Sequence, residues 1–457
     1  MFIAPAVLVL VAALLVAGVF VAWRDGRLNP VICGGDCGPE NAIAPTGLRS
    51  ASTAPASVDG PPASPTDLDA VLASAKSSLG ADVLGDHVGL AVGTTDGDGP
   101  VVATTTDAFV PASTTKLLTS YVAVSKLDPQ ARFATEARLD GDRLFLVGGG
   151  DPYLTDKRQK GDPKVVRADL ATLAASTAAR LKELDTRAVT LGMDTSLFSG
   201  PDLSPDWPDT YVRDNVVTPI EPLWIDRGMV DTENPETTPR VARPAEQARD
   251  VFATYLRQEG ITVTVDGGLT AAPDGARTIG SVHSSTVAQI VESTVRTSDD
   301  EAAEVLLRHL ALAAGKDATF ADGTAVVEAT LKGAGISTDG LVLTDGSGLS
   351  RANRISPTTL VGVVRASLAD ARFAPVLDDL PVSGFSGTLA DRYATASRGW
   401  VRAKTGMLTG VHSLAGIVQD AEGRPIVFAA MADDTDRSDP FGARAALDKV
   451  AAAIAAD

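Results

Sequence analysis

Histidine and cysteine are scarce in this sequence. Its 457 residues include four histidines and two cysteines. Zinc sites and iron–sulfur clusters draw their ligands from these residue types, and disulfide scaffolds need many cysteines. The composition therefore predicts no metal, no other cofactor and no disulfide framework.

Basic residues are also in deficit. The chain has 40 Lys and Arg residues against 58 Asp and Glu residues, which gives a formal net charge of −18. Nucleic-acid binding requires a basic face that neutralises phosphates, so nucleic acid is not expected as a partner. Hydrophobic residues make up 44% of the chain, and its length allows several domains around sizeable cores.

Charge is absent from the segment Phe2 to Trp23, which Leu, Val and Ala dominate. As a helix this segment would measure roughly 33 Å, enough to cross a bilayer core of about 30 Å. We therefore predict that residues 1–23 form a membrane anchor, with a cleaved signal peptide as the alternative. Arg24 and Arg27 follow the segment, and by the positive-inside rule alone they would oppose export.

Periodic apolar residues are missing from residues 24–65, which are rich in Pro, Ala, Ser, Thr and Gly. This composition predicts a disordered tether. Both cysteines, Cys33 and Cys37, lie inside it.

From residue 66 onward the pattern predicts an ordered chain of strands and helices. The predicted elements are a helix from Thr66, strands at 88–94 and 101–106, a helix at 113–127, a hairpin at 133–147, a helix at 166–184, a helical stretch at 286–314, strands at 399–406, 411–419 and 425–431, and a helix at 440–456. Strands and helices at both ends, with a different block between them, predict one catalytic domain from residues 66–135 and 281–457. Residues 136–280 are predicted to be an inserted domain.

Three short motifs stand in this order at predicted element boundaries. They are Ser113-Thr114-Thr115-Lys116 at a helix start, Ser298-Asp299-Asp300 at another, and Lys404-Thr405-Gly406 at the end of an edge strand. Taken singly, each has a structural explanation: a solvated lysine, a helix cap completed by Glu301, and a strand that leads into a turn. Their order and settings together favour a catalytic function.

A serine and a lysine one helical turn apart share a face, so the Ser113 hydroxyl and the Lys116 amine are expected to touch. Serine is a poor nucleophile unless a base takes its proton, and lysine acts as a base only when burial or a neighbouring cation lowers its pKa. Lys404 would supply that cation, and Ser298 would relay the proton to the leaving group.

Substrate contacts are predicted at the third motif and the residue that follows it. The backbone N–H groups of Ser113 and Met407 would form an oxyanion hole, and Thr405 with Lys404 would hold a substrate carboxylate. Thr405, Gly406 and Met407 are therefore the expected substrate-binding residues, and no metal ligands are expected.

The motifs resemble those of the D-alanyl-D-alanine carboxypeptidase/endopeptidase family of low-molecular-mass penicillin-binding proteins, which are penicillin-recognising serine enzymes. Further segments extend the resemblance over most of the chain from about residue 67 to 457. They are Leu146-Val147-Gly148-Gly149-Gly150-Asp151-Pro152, Asp345-Gly346-Ser347-Gly348-Leu349-Ser350-Arg351, Ser386-Gly387-Thr388-Leu389-Ala390-Asp391-Arg392, and Val401-Arg402-Ala403-Lys404-Thr405-Gly406 with Leu408-Thr409-Gly410.

The resemblance implies an α+β fold of the transpeptidase/β-lactamase type, with an antiparallel sheet flanked by helices, the active site at one sheet edge and an insertion between the first and second motifs. It implies hydrolysis of D-alanyl-D-alanine bonds, and also of cross-links, in peptidoglycan stem peptides through an acyl-serine intermediate. β-Lactam antibiotics would acylate the same serine. The substrate lies outside the cytoplasmic membrane, so an extracytoplasmic enzyme of the cell envelope is expected, either anchored in that membrane by its N-terminal helix or secreted if the helix is cleaved.

Asp300 departs from the family pattern, which has asparagine at this position. An ionised aspartate accepts hydrogen bonds but does not donate them, and its charge would stabilise protonated Lys116. We therefore expect slower acylation, or a shifted pH optimum, relative to an enzyme with asparagine.

Other functions are weaker candidates. A β-lactamase or an esterase needs no such insertion, and Asp300 keeps open a catalytically weak peptidoglycan-binding or β-lactam-sensing protein. A Ser-His-Asp hydrolase is disfavoured because there is no Gly-x-Ser-x-Gly motif and His309 lies within an apolar helix. For His412, strand packing is favoured over a place in the site.

Overall fold

The computed structural model describes residues 65–456, with gaps at 98, 158–166, 231–237, 269 and 393–396. The predicted anchor and all but the last residue of the predicted tether lie outside the described residues. Along the described ranges, no helix is both long and apolar enough to cross a membrane.

The described part of the chain contains ten β-strands and ten α-helices. The strands are β1 (Val88–Gly93), β2 (Val101–Ala103), β3 (Ala134–Asp140), β4 (Arg143–Val147), β5 (Ala188–Asp194), β6 (Thr262–Val265), β7 (Arg277–His283), β8 (Val401–Leu408), β9 (Val411–Gln419) and β10 (Pro425–Ala432). The helices are α1 (Pro65–Leu79), α2 (Thr115–Lys126), α3 (Leu170–Glu183), α4 (Pro244–Gln258), α5 (Val287–Thr297), α6 (Asp300–Ala313), α7 (Phe320–Gly333), α8 (Pro357–Leu368), α9 (Ala374–Leu377) and α10 (Pro440–Ala456).

The first sheet is antiparallel throughout, with the strand order β2-β1-β10-β9-β8. β1 and β10 come from opposite ends of the described chain, and Val88 lies opposite Ala432. β8 is an edge strand, so the third motif is open to a ligand along one side.

Helices cover both faces of this sheet. On one face, Leu68 of α1 and Leu447 of α10 share a core with Phe428 of β10. On the other face, Leu117 of α2 packs in the core that includes Val427. Because both faces are covered, β10 is buried at nearly every position and its sequence is almost continuously apolar. The predicted α+β class, with an antiparallel sheet flanked by helices, is confirmed.

The second sheet lies between the first and second motifs in the chain. Its strand order is β6-β5-β4-β3-β7, with parallel pairs at β4/β5 and β5/β6, and α3 and α4 share its core. β3 and β7 pair antiparallel, with Ala134 opposite His283, so the chain enters and leaves this sheet on adjacent strands. That residues 136–280 form a separate inserted domain stays a prediction.

Two predicted elements need correction. The sequence pattern predicts one helix between residues 154 and 280, but α4 is a second one, begun by Pro244 and buried through Phe252 and Leu256. The helical stretch predicted at 286–314 is two helices that meet at the second motif, where a helix start was also predicted. The stretch is divided there because Ser298 adopts a left-handed conformation with φ of 62°. A left-handed residue interrupts helical hydrogen bonding, and here it bends the chain at the second motif.

Candidate active site

Ser113 lies in a tight 3-10 turn, Ala112–Thr114, that leads directly into α2. The preceding residue, Ala112, has φ of 48°, an uncommon value for a residue with a side chain. Gly348 packs against this turn so closely that a Cβ atom there would lie 1.8 Å from the Ala112 carbonyl oxygen. The strained turn is therefore held by its neighbours, as is common for backbone strain at functional sites.

Lys116 is fully buried, and its ammonium group has three hydrogen-bond acceptors. Its Nζ lies 2.9 Å from Ser113 Oγ, 2.6 Å from Asp300 Oδ1 and 2.7 Å from the carbonyl oxygen of Ser347. An ammonium group has three protons to donate, so this arrangement suits the charged form. For Lys116 to accept the Ser113 proton, it must first give up one of its own.

Ser298 and Lys404 form a second serine–lysine pair in the same site. Lys404 is fully buried in β8, and its Nζ donates to Ser298 Oγ at 2.8 Å and to the Thr405 carbonyl oxygen at 2.7 Å. Burial lowers the pKa of Lys404 well below its usual range, and the charge of Lys116 lowers it further, while Asp300 opposes the shift. An amine whose pKa is lowered by burial gives up its proton more readily than an exposed lysine.

Taken singly, the second motif was explained in the sequence by a helix cap at Ser298. In the structure the cap of α6 is a different residue. Asp299, not Ser298, is the N-cap, and its carboxylate accepts a hydrogen bond from the Ala302 N–H. Ser298 is instead the residue that ends α5. Its hydroxyl is therefore left to contact Lys404.

Gly406 brings the edge strand against the nucleophile turn. A Cβ atom at this position would lie 2.6 Å from the Pro111 carbonyl oxygen and 3.0 Å from the Ser113 backbone nitrogen. Only glycine permits this approach without a shift of backbone. The Ser113 amide therefore lies directly beside β8, while the Met407 side chain at the same edge is 60% exposed.

A cavity of about 240 Å³ is lined by five of the predicted site residues and by six others. Its lining is Ser113, Ser298, Thr388, Arg392, Thr405, Gly406, Met407, His412, Ser413, Arg444 and Leu447. Lys116, Asp300 and Lys404 are not in that lining. Lys116 contacts Ser113, Lys404 contacts Ser298, and Asp300 contacts Lys116. The structure thus brings together all eight sequence-predicted site residues.

Several lining residues had no predicted role. Thr388 accepts a hydrogen bond from the Thr405 hydroxyl at 2.8 Å. Thr388 and Arg392 belong to the segment 386–392 that carried part of the resemblance, so a signal for them existed. Arg444 is half-buried on α10, and its position in the chain carries no such signal. His412, expected to pack within its strand, is buried and also lines the cavity.

The loop at residues 345–351 supplies the third Lys116 acceptor. Asp345 accepts from the backbone N–H groups of Gly348 and Ser350 at 2.9 and 2.6 Å. Glu304, fully buried on α6, accepts from the Ser347 N–H at 2.7 Å. Burial, followed by the charge of Asp345, raises the pKa of Glu304 to about 8. The carbonyl facing Lys116 is thus fixed by two buried carboxyl groups.

His309 has a packing role. Its ring stacks on Phe133 at a centroid distance of 3.6 Å, and its Nε2 lies 3.1 Å from the Gly150 carbonyl oxygen. Burial lowers the pKa of His309 to about 4, so it is neutral at physiological pH. Ser113 Oγ has its contact with Lys116 Nζ instead.

An antiparallel sheet between helical layers, with a Ser–Lys pair beside its edge strand, defines the class of penicillin-binding and β-lactamase-like serine hydrolases. The chain belongs to the D-Ala-D-Ala carboxypeptidase 3 (S13) family, whose model matches residues 72–239 and 232–454. It is therefore a serine-type D-Ala-D-Ala peptidase by family, and the predicted resemblance is confirmed.

Named relatives agree with this membership. The chain is 33% identical over 360 residues to carboxypeptidase DacB of Mycolicibacterium smegmatis, covering 75% of each chain. It is 29% identical over 404 residues to a D-alanyl-D-alanine carboxypeptidase of Actinomadura sp. strain R39, covering 69% of this chain and 72% of that one. Penicillin-binding protein 4 from Haemophilus influenzae has a similar fold, with a TM-score of 0.66, 20% identity, and coverage of 81% of this chain and 94% of that one.

Proposed function

We propose that this chain hydrolyses the terminal D-alanyl-D-alanine bond of peptidoglycan stem peptides through an acyl-enzyme on Ser113. The observation that carries the proposal is the 2.9 Å contact between Lys116 Nζ and Ser113 Oγ in a cavity that Ser298 also lines. The two serine–lysine pairs supply a nucleophile, a base and a route for the proton. Cleavage of cross-links and acylation by β-lactams follow from the same chemistry.

In the acylation step, Ser113 Oγ forms a bond with the carbonyl carbon of the penultimate D-alanine. Neutral Lys116 accepts the hydroxyl proton, and the C–N bond to the terminal D-alanine breaks as Ser298 gives its proton to the departing nitrogen and takes one from the Lys404 ammonium. Water then attacks the ester carbonyl carbon, and its proton passes through Ser298 to Lys404. As the ester C–O bond breaks, Lys116 returns its proton to Ser113 Oγ, so the shortened peptide leaves as the free acid and both lysines regain their starting forms.

The developing oxyanion is assigned to the backbone N–H groups of Ser113 and Met407, because Gly406 holds the edge strand beside the Ser113 amide. The substrate carboxylate is assigned to Thr405, with Arg444 adding positive charge at the wall of the same cavity. Arg392, which also lines the cavity, already forms an ion pair with Asp448.

One observation favours a second function. The Lys116–Asp300 ion pair, at 2.6 Å, stabilises the protonated lysine and so opposes its action as a base. A catalytically weak protein that binds peptidoglycan or senses β-lactams would retain the same cavity with slow turnover.

The substrate places the protein at the extracytoplasmic side of the cell envelope. Attachment to the cytoplasmic membrane through residues 1–23 is part of this proposal and rests on the uncharged segment in the sequence. A cleaved segment would give a secreted enzyme instead.

Labelling with a fluorescent penicillin tests the proposal. The wild-type chain should be labelled, the Ser113→Ala variant should not, and Ser77→Ala, at an exposed serine on α1, should match the wild type. Labelling that survives Ser113→Ala would reject the nucleophile. Release of D-alanine from a diacyl-D-Ala-D-Ala peptide separates a peptidase from a sensor, which would be labelled without release.

A further inference from the structure

Three consecutive carboxylates at the start of α6 each have a cation of their own. The ion pairs are Asp299 with Arg227 at 2.9 Å, Asp300 with Lys116 at 2.6 Å, and Glu301 with Arg240 at 3.1 Å. In the middle pair, and in neither of the other two, both residues belong to the three motifs. The two flanking cations come from the segment between the first and second motifs.

Arg227 is presented by a left-handed turn. Asp226, Arg227 and Gly228 have φ values of 50°, 54° and 63° in succession. Two such residues with side chains cost free energy, of the order of 1 kcal/mol or more each, unless neighbours fix them. Here the Arg227 carbonyl oxygen accepts from Thr218 Oγ1 at 2.6 Å and from Arg240 Nη1 at 2.9 Å.

Asp299 connects this turn to the second motif and to the start of α6. One carboxylate oxygen accepts from the Ala302 N–H at 3.0 Å, and the other binds Arg227. The Asp299 side chain is only 3% exposed. With both oxygens occupied, the backbone on either side is fixed, and Ser298 and Asp300 are its two neighbours.

Charge balance depends on the same pair. A buried carboxylate without a cation next to Asp300 would favour protonated Lys116. The charged or titratable groups near Asp299 are Arg227 from the turn, Tyr153 from the loop after β4, and Glu301 from α6. Lys116 faces Asp300 from α6 and Lys404 from β8, and Tyr211 lies near Asp300.

We propose that Arg227 is a positioning residue for the second motif: it fixes Asp299 and neutralises it, so that Asp300 is the one uncompensated carboxylate that the second motif presents to Lys116. The inference rests on the proposed function, because it assigns Lys116 as the base. It makes the segment between the motifs part of the catalytic apparatus, since that segment controls the charge at the second motif.

The test compares Arg227→Met with Arg227→Lys, using the rate of acylation by a fluorescent penicillin as a function of pH. In Arg227→Met, we expect acylation about tenfold slower at neutral pH, with its acidic limb moved up by about 0.5 to 1 on the pH scale, because unpaired Asp299 favours the Lys116 ammonium. Arg227→Lys keeps the charge, so the acidic limb of its acylation rate should lie at the wild-type pH. A slower rate with an unmoved limb, or a lysine variant no better than methionine, would overturn the proposal.

A glycine pair controls for folding and for backbone strain. In Gly228→Ala the new Cβ atom would lie 2.4 Å from Thr218 Cγ2, so the turn must move, and we expect the Arg227→Met profile. Gly260→Ala has a similar φ of 81° but nothing within 4 Å of its Cβ position, so its acylation should match the wild type. Thermal unfolding midpoints identify any variant that fails to fold.

A measurement without turnover separates this proposal from the proposed function. NMR titration of the ¹⁵N-labelled Lys116 ammonium, assigned by its loss in Lys116→Met, gives the pKa directly. A higher pKa in Arg227→Met supports the inference even if Ser113 is never acylated, and an unchanged pKa rejects it.

Discussion

Lys116 and Asp300 form an ion pair of 2.6 Å in which the lysine is fully buried, and the same ammonium group lies 2.9 Å from the Ser113 hydroxyl. The residue proposed as the base of the nucleophile thus contacts a carboxylate, and a carboxylate charge beside an amine favours its ammonium form. We expect this contact to affect the rate of acylation and its dependence on pH.

Replacement of Asp300 by asparagine should accelerate acylation at neutral pH. The amide oxygen still accepts a hydrogen bond from Lys116, but the carboxylate charge that stabilises the ammonium is gone, so Lys116 gives up its proton more readily. In a plot of acylation rate against pH, a shift of the acidic limb to lower pH by about 1 raises the rate below the optimum about tenfold. The acylation rate of Asp300→Asn, measured with a fluorescent penicillin between about pH 5 and 9, should show this displacement. Asp317→Asn, at an exposed position, is the matched control, and equal rates in all three proteins would refute the effect.

Glu304 should make the stability of the protein depend on pH. Its pKa in the folded state is about 8 against an ordinary value of 4.5, because it is buried. A carboxyl group with a raised pKa binds its proton more tightly when folded, so the Glu304 contribution to stability is fully present below about pH 4.5 and is lost as pH rises to about 8. The slope from this one group is at most about 1.4 kcal/mol for each pH unit.

The variant Glu304→Gln removes this titration but keeps an oxygen that accepts from the Ser347 N–H. Its free energy of unfolding, measured with urea at several pH values, should fall less between about pH 5 and 8 than that of the wild type. Glu328→Gln, exposed on α7, should keep the wild-type slope. Parallel curves for Glu304→Gln and the wild type would show that Glu304 is ionised throughout.

Gly406→Ala should abolish most of the acylation. The new Cβ atom would meet the Pro111 carbonyl oxygen at 2.6 Å and Ser413 Oγ at 2.2 Å, so β8 must move away from the Ser113 amide. A displacement of about 1 Å at a reacting group costs roughly 100-fold in rate. Gly275→Ala, with nothing within 4 Å of its Cβ position, should acylate normally. A Gly406→Ala enzyme of normal rate would show that this approach of strand and turn is not needed.

Local patterns in the sequence predicted some of this site and could not predict the rest. Ser113 and Lys116 are one helical turn apart, so their contact follows from helix geometry. Ser298 and Lys404 are separated by 106 residues, so their contact was predicted from the order and settings of the three motifs together and not from local helix geometry. Arg227 and Asp299 pair across 72 residues between segments with no shared period, so no local rule connects them.

The same limit applies to the fold. The hairpin at β3 and β4 was predicted because alternating residues flank an Asp-Gly turn. A helix start at Ser298 was predicted, but its left-handed conformation was not, because a left-handed serine is specified by its tertiary contacts and not by its residue type. α4 was missed because its buried face contains several alanines, which give a weak apolar signal.

Arg444 should contribute to recognition of the substrate carboxylate. It lines the cavity from α10 and packs over the Phe441 ring at 5.0 Å, and among the described residues no carboxylate forms an ion pair with it. Arg392 in the same wall is already paired with Asp448, so Arg444 offers the less compensated charge. A charge-assisted hydrogen bond contributes about 1.5 to 3 kcal/mol, so Arg444→Gln should raise KM for a D-Ala-D-Ala peptide about tenfold or more.

A peptide with a C-terminal amide lacks the carboxylate, so Arg444→Gln and the wild type should hydrolyse it with the same kcat/KM. Arg187→Gln, exposed before β5, should leave both substrates unaffected. Equal losses for the acid and the amide would mean that Arg444 shapes the cavity and does not recognise charge.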